Sequence, residues 1–300
     1  MRWLNDNELI ATQSQGLLLR PGKIVQAKAD NLGQLVSVAD AETSLWSVVN
    51  QGSAIFATDY KGRVLRAEGG KHQTFDLKSR WVRTVTTIPT SNSELLAGTE
   101  DGQLLQFNAE TGAEVRKLAL EPAAIFKIAF NQPNNQIAVA CGDGNIHLLS
   151  WPALERVKSL KGNGAVWSLA YVDDGKKMVS GGADKKLRLW ELESAQSIVA
   201  IASGTDWITS MQTLPGTSLV IAGCMNGQVV LADWKTKLPV KSVKGANSGI
   251  WDIAVSPDGK RVAMGTRKDG IQILPIESWY EEARQAATSA EADKPPQPSQ

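Results

Sequence analysis

Histidine, cysteine and carboxylate side chains carry most metal binding, nucleophilic attack and proton transfer, and the first two are scarce in this 300-residue chain: His72, His147, Cys141 and Cys224 are the full set. They stand far apart, with no CxxC pair and no HExxH, so zinc chemistry and thiol redox lack their ligands at the needed spacing. A GxxxxGK[ST] phosphate loop and a GxSxG elbow are also absent, which removes the usual residues for nucleotide hydrolysis and serine-hydrolase chemistry. Asp101, Asp143, Asp184 and Asp269 recur in polar turns and would be the remaining candidates for ion ligation. In a tight turn, however, an Asp side chain bonds its own backbone, so these residues read as turn formers. The sequence predicts a non-catalytic protein with no metal and no cofactor.

Aromatic residues form the one recurrent pattern with binding chemistry. Leu45, Val82, Ile125, Val166, Ile208 and Ile250 each open an apolar segment, and each has an aromatic beside it: Trp46, Trp81, Phe126, Trp167, Trp207 and Trp251. In a strand, the positions before and after a buried residue point the same way, so all six should lie on one side. Large rigid rings anchor protein interfaces, each worth about 2 kcal/mol or more when desolvated. Arg83, Lys127, Asp206 and Asp252 stand next to them, and this mixture of signs favours a protein or peptide partner over phosphate. The same rings could instead wedge between neighbouring sheets; Trp190, Trp151, Trp234 and Phe107 are read in that packing role.

The elements that position these residues repeat. A strand ending in small residues, a polar turn and a new apolar strand recur around Gly16, Gly62, Gly102, Gly144, Lys185, Gly227 and Gly270, at intervals of about 40–46 residues. Within each copy, as in KKLRLW and GQVVLA, the period is two, which marks strands. In the clearest copy the strands are expected at Val166 to Tyr171, Met178 to Gly181, Leu187 to Trp190 and Ser197 to Ala202. Four short strands per ~40 residues form a blade, and a blade cannot bury both its faces alone, so the sequence predicts an all-β, seven-bladed β-propeller.

Residues 161–193, KGNGAVWSLAYVDDGKKMVSGGADKKLRLWELE, resemble a whole blade of the WD40-repeat family, with Ser180, Asp184 and Trp190 where that family places the residues of its hydrogen-bond network. The resemblance covers residues 1–276. It implies that strand openings lie at the rim of the central channel, on the top face where partners of the family dock, and hence that the six aromatics form a ring around one mouth. The opening Gly-His pair is replaced by KGNGAV or KGANSGI, and neither His72 nor His147 stands there. The histidine-to-aspartate network is therefore not expected, and the blades should depend more on packing.

Both ends of the repeat region are incomplete. Residues 2–13 align with the tail of a first strand, a turn and a second strand, whereas Ile250 to Ile276 supply three strands and no fourth. Seven units of about 42 residues need about 294, roughly 18 more than the repeats span. Three readings follow: a start upstream of Met1, a helix near Trp279 and Tyr280 that covers the open edge, or a strand or N-terminal extension that completes the last blade. Residues 277–289 are rich in Ala and Glu, as in a helix, and residues 290–300 form a Pro-rich tail expected to be disordered.

Lys and Arg total 32 against 31 Asp and Glu, giving a net charge of +1 without the long-range field of a nucleic-acid or membrane-surface binder. With two cysteines and no apolar stretch near 20 residues, the expectation is a cytoplasmic protein binding neither nucleic acid nor membrane. The leading function is a scaffold that binds a protein or peptide at the top face. The alternatives are a quinoprotein-like or other cofactor-binding propeller enzyme, suggested by EDGQLLQFNAETGAEVRKL although Lys117 and Leu118 stand where that repeat carries tryptophan, and an assembly subunit docking through its C-terminal helix and open blade edge.

Overall fold

Position within a blade can be traced to polarity, because a sheet sandwiched between two others buries both faces of its middle strands and leaves its outer strand wet. The computed structural model describes residues 1–16, 19–194 and 196–283. Blade 1 holds β1 (Arg2–Trp3), β2 (Glu8–Ser14), β3 (Gly22–Lys28) and β4 (Asn31–Ala41), and blade 2 holds β5 (Leu45–Gln51), β6 (Ala54–Asp59), β7 (Arg63–Glu68) and β8 (Lys71–Asp76). Blade 3 contains β9 (Val82–Thr87), β10 (Glu94–Thr99), β11 (Gln103–Asn108) and β12 (Glu114–Ala119); blade 4 contains β13 (Ile125–Asn131), β14 (Gln136–Cys141), β15 (Asn145–Ser150) and β16 (Arg156–Lys161). Blade 5 follows with β17 (Val166–Val172), β18 (Lys177–Gly182), β19 (Lys186–Glu191) and β20 (Gln196–Ser203), then blade 6 with β21 (Ile208–Thr213), β22 (Leu219–Cys224), β23 (Gln228–Asp233) and β24 (Leu238–Lys244). Blade 7 has β25 (Ile250–Val255), β26 (Arg261–Thr266) and β27 (Ile271–Pro275). Each sheet is an antiparallel meander in chain order, and the seven make the propeller expected from the repeat. Every residue of β6 and β22 is buried, whereas β12, with Glu114, Arg116 and Lys117, is almost wholly exposed.

Apolar clusters lie between blades. Val179, Leu187 and Leu189 of blade 5 pack on Ile208, Met211, Val220 and Val230 of blade 6, and the pattern recurs around the disc. Hydroxyls reinforce these contacts. Ser168 Oγ accepts the Met211 N–H at 3.0 Å and donates to the Met211 carbonyl at 3.4 Å, joining blade 5 to blade 6. Ser47, the matching residue of blade 2, makes the same pair of bonds to Val85 of blade 3 at 3.2 and 3.4 Å. Thr209 Oγ1 donates to the Ile250 carbonyl at 2.6 Å, between blades 6 and 7.

The family network is half kept. Trp190 Nε1 donates to Ser180 Oγ at 2.8 Å, but Asp184 accepts from Arg188 Nε at 2.6 Å and from the Lys186 N–H at 3.1 Å, so an arginine four residues on stands where a histidine would reach. Asp59 is held likewise, by Thr43 Oγ1 at 3.0 Å and Arg63 Nε at 2.7 Å. Packing is thus supplemented by an ion pair, which the sequence reading did not anticipate. The repeated turns have φ from 69° to 88° at Gly62, Gly102, Gly144, Gly227 and Gly270, and 64° at Lys185. The first copy departs from the expected phrase: among the described residues the next strand after Gly16, β3, begins at Gly22, and Leu19 is 64% exposed.

At the seam, Met1 N donates to Asp252 Oδ2 at 2.6 Å and Trp3 Nε1 to the Ala254 carbonyl at 2.8 Å, tying blade 1 to blade 7. After β27 the chain forms helix α1 (277–283), which buries Trp279 and Ala283 against Leu219, Ile221, Met264 and Ile276 of blades 6 and 7. The rest of the expected helix and the tail at 290–300 lie outside the described residues. Among the described residues no helix is long and apolar enough to cross a membrane.

Candidate functional site: an aromatic collar on one face

The innermost strand of a blade shows the same irregularity six times. In β13 Ile125 pairs with Cys141 and Lys127 with Ala140, leaving Phe126 as an extra, unpaired residue. The same shift leaves out Trp167 in β17, Thr209 in β21 and Trp251 in β25. In blade 3 it leaves out Arg83, and in blade 2 the skip spans Trp46 and Ser47. Such a bulge bends the strand and re-aims the extra side chain.

Simple alternation is therefore the wrong reason for the alignment of these rings. Trp46, Phe126, Trp167 and Trp251 are bulge residues, whereas Trp81 and Trp207 precede β9 and β21, their carbonyls accepting the Glu100 and Met225 N–H groups at 2.9 Å. The two routes nevertheless bring the rings together. Ring centroids are 6.4 Å apart for Trp251 and Trp46, 4.6 Å for Trp46 and Trp81, 6.1 Å for Phe126 and Trp167, and 5.1 Å for Trp167 and Trp207. Between Trp81 and Phe126 the gap is filled by Arg83, its guanidinium 3.2 Å from the Trp81 centroid, 5.3 Å from Phe126 and 5.6 Å from Trp46. Blade 1 contributes no aromatic to this collar; Trp46 and Trp251 meet across it.

Exposure divides the set. Trp207 and Trp251 are 44% and 41% exposed, while Trp46, Trp81, Phe126 and Trp167 are half-buried. The wedge role thus describes part of four residues and none of the outer two. Trp46 Nε1 and Trp81 Nε1 are buried without a hydrogen-bond partner, at a cost of about 1–3 kcal/mol for each orphaned donor. Two residues of the collar escaped the sequence reading. Tyr60, in the turn after β6, lies 4.7 Å from Trp81, and Glu100 binds the Arg83 guanidinium. Both sit in the turn that the topology places beside each strand opening, which was the available signal.

The charged neighbours do not act as one rim. Asp206 turns back on its own backbone, accepting the Trp207 N–H at 2.9 Å, and faces Lys185 Nζ at 4.0 Å. Asp252 and Lys127 belong to the channel below. Asp252 accepts from Met1 N, from Ser210 Oγ at 2.7 Å and from the Ile253 N–H at 3.0 Å. Burial pushes its carboxyl up, but the Met1 amino group, Lys127 and the Ser210 hydroxyl outweigh that and hold it below the usual carboxylate range. Its side chain is 42% exposed, yet blades 1, 4 and 6 surround it, so this is channel surface: accessible and desolvated at once. Burial lowers the Lys127 ammonium, with Asp252 opposing and Arg2 adding to the shift.

Outside the collar the buried cysteines Cys141 and Cys224 are free thiols, pushed up to about 12 mainly by burial. Trp190, Trp234 and Phe107 are buried and Trp151 packs against a core cluster, so all four serve blade packing.

Comparison with known proteins agrees with the geometry. A family model described as "WD domain, G-beta repeat" matches residues 154–191 and 237–271, each an outer strand followed by strands of the next blade. A U3 small nucleolar RNA-associated protein 18 homolog of Arabidopsis thaliana is 24% identical over 298 residues, covering 92% of this chain and 53% of that protein. A periodic tryptophan protein 2 homolog of Dictyostelium discoideum is 24% identical over 213 residues, covering 69% of this chain and 23% of that protein. The chain thus spans about half or less of these relatives' length. A chain in a crystal structure of the mitotic checkpoint complex superposes with a TM-score of 0.76 at 14% identity, covering 92% of this chain and 93% of the other, a likeness of fold.

Proposed function

Because this chain is a WD40-repeat β-propeller, we propose that it is a non-catalytic scaffold whose aromatic collar binds a segment of a protein partner. The observation that carries this reading is the run of touching rings from Trp251 through Trp46 and Trp81, across Arg83, to Phe126, Trp167 and Trp207. Rings that only filled a taper would be buried, whereas Trp207 and Trp251 present more than two-fifths of their surface to solvent. The orphaned indole N–H groups of Trp46 and Trp81 supply donors for a partner's carbonyl once the collar shifts. The name of one relative places that protein with the U3 small nucleolar RNA; here the partner is read as protein, and the compartment as cytoplasmic, in keeping with free buried thiols.

The test is capture of partners from the source cell with the wild type and with a Trp207→Ala/Trp251→Ala variant. These two rings are the exposed ones, so their loss should leave the fold intact and remove the partners; partners retained at full yield would refute the reading.

A second reading rests on blade 7. Among the described residues its last strand β27 pairs only with β26. The Ile276 N–H bonds the Lys260 carbonyl, so by alternation Ile271 and Ile273 direct their backbone groups away from β26. A partner strand added there would complete the blade. Cross-linking from an Ile273→Cys variant would locate it, and collar variants would leave it unchanged.

A further inference from the structure

The residue directly after the third strand of a blade packs toward the blade before it, and its size decides how far the groove between the two is filled. Ala109, Trp151, Leu192, Trp234 and Ile276 hold this position in blades 3 to 7, each donating its N–H to a carbonyl in the turn between that blade's first two strands. Between blades 3 and 4, Trp151 stands edge-on to Phe130 at 5.3 Å; between blades 5 and 6, Trp234 is buried, 6.0 Å from Lys177 Nζ. Phe75 joins Ala109 between blades 2 and 3, and Trp279 of α1 joins Ile276 between blades 6 and 7. Between blades 4 and 5 the residue is Leu192, and there a groove of about 290 Å³ lies open, lined by Leu148, Val157 and Lys158 of blade 4 and Gly175, Lys176 and Leu192 of blade 5. Tyr171, which takes the place of Phe130, has no ring partner among the described residues, and its hydroxyl is buried without a hydrogen bond. Because β13 and β17 begin at the collar, the turns that border this groove lie on the opposite face of the disc.

The groove between blades 6 and 7 shows what such a site holds. In the ladders Lys158 pairs with Leu148 as Lys241 pairs with Leu231, and the Leu192 N–H reaches the Lys176 carbonyl as that of Ile276 reaches Lys260. Gly175 and Gly259 occupy the same turn, with φ of 80° and 72°. In the occupied groove Lys241 Nζ lies 5.3 Å from the Trp279 ring and bonds Glu282 Oε2 at 2.7 Å, while Lys260 Nζ pairs with Glu277 at 3.2 Å. Tyr280 donates its hydroxyl to the Gly259 carbonyl at 2.6 Å. In the open groove the Gly175 carbonyl already accepts from Asn131 and Asn134 Nδ2, at 2.9 and 3.2 Å, so a guest needs no hydroxyl there. Lys176 is exposed, and Lys158 turns its ammonium to the Leu192 and Glu193 carbonyls. Val157 is 53% exposed, whereas Val240, at the matching bulge, packs on the cluster that contains Trp279.

We propose that the groove between blades 4 and 5 docks a protein partner through a helical segment with the chemistry of α1, an indole followed three residues later by a carboxylate. The indole fills the space that Trp151 and Trp234 fill in the neighbouring grooves, and the carboxylate draws Lys158 as Glu282 draws Lys241. A volume of about 290 Å³ is near the lower end of ligand clefts, ~300 Å³. It holds one aromatic anchor, so the segment is gripped at a single buried side chain with a charged residue at its rim. This site is separate from the collar and gives the disc a second docking face.

The test uses the full chain with labelled Val, Leu and Ile methyl groups, titrated with acetyl-Ile-Glu-Ser-Trp-Tyr-Glu-Glu-Ala-amide, the sequence of residues 276–283, and followed by NMR. Saturable shifts are expected at Val157 and Leu192, with the peptide that carries Ala in place of Trp roughly tenfold weaker. Leu192→Trp, which copies Trp151, should fill the groove from within, keep the fold and abolish the shifts. Lys158→Met should weaken the peptide severalfold, by the same factor as Gln in place of its last Glu. No saturable shift at Val157 and Leu192, equal binding of the Trp and Ala peptides, or undiminished binding by both Leu192→Trp and Lys158→Met would overturn the site. Shifts confined to Val240 and Ile276 would overturn it as well, since the peptide would then be exchanging with α1. Val157 signals that move with protein concentration alone would make the occupant a second copy of this chain and refute the partner segment. The collar variant Trp207→Ala/Trp251→Ala should bind the peptide as the wild type does, so the two sites fail separately.

Discussion

Replacing Ser168 by alanine isolates the role of a hydroxyl between blades. Ser168 is 2% exposed and its Oγ serves Met211 twice, accepting from the N–H at 3.0 Å and donating to the carbonyl at 3.4 Å. Alanine fits the same space, so no clash or sizeable cavity complicates the change. What it leaves is a backbone N–H and a carbonyl of Met211 facing apolar Leu189 and Val179 with no water to turn to. An orphaned buried donor costs about 1–3 kcal/mol and a lost neutral bond about 1 kcal/mol. The 3.4 Å bond is long and adds little, so the expected loss is about 2 kcal/mol, a shift in Tm of roughly 4 °C for a chain of this size. Urea denaturation gives the global figure, and amide exchange at Met211 gives the local one, since the loss should first show as faster opening between blades 5 and 6. Ser47→Ala, which breaks the same pair of bonds to Val85 at a half-buried position, should cost less. A Ser168→Ala variant within about 0.5 kcal/mol of wild type, with Met211 exchange unchanged, would show that the blades hold by apolar contact alone.

Other outcomes follow from the same structure. Gly102→Ala should cost more than about 3 kcal/mol in thermal unfolding, because φ is +80° and a Cβ would stand 2.0 Å from the Glu121 carbonyl oxygen. His147 is buried, with Nδ1 2.9 Å from Ser159 Oγ and Nε2 2.8 Å from Glu121; burial lowers its pKa despite that carboxylate, which Arg156 shares. The unfolded chain therefore binds the proton more readily, so stability should fall as pH drops below about 6.5, and His147→Gln should flatten this part of the profile. With both thiols pushed up to about 12, Cys141 and Cys224 should resist a thiol reagent at pH 8 until urea unfolds the chain. Trp279→Ala should cost about 3 kcal/mol or more and loosen α1 from Met264 and Ile276, read as increased proteolysis near residue 277.

The architecture was legible because buried faces impose a period of two and tight turns impose their own residues. Strands β17, β18 and β19 fall within a residue of their expected limits for that reason. Gly16 misled, because a glycine in a polar stretch promises a tight turn only if the backbone there takes a positive φ, and Gly16 does not take one. The six aromatics were found by counting from a buried aliphatic, but four of them, Trp46, Phe126, Trp167 and Trp251, owe their direction to an extra residue in the ladder, which no letter announces. Long-range pairing was beyond reach altogether. Nothing in the sequence tells that Arg188 replaces a histidine at Asp184, or that Arg83 lies on Trp81.

The unpaired residue at the head of six of the seven inner strands has a further consequence. Since it stands outside the ladder, its identity is only loosely coupled to the sheet: the chain places Trp, Arg, Phe, Trp, Thr and Trp at that one site, and of these Thr209 alone is buried and bonds the next blade. At the other five, letters on a fixed frame allow the face to be rewritten, by evolution or by a designer, at little cost to the disc that displays it.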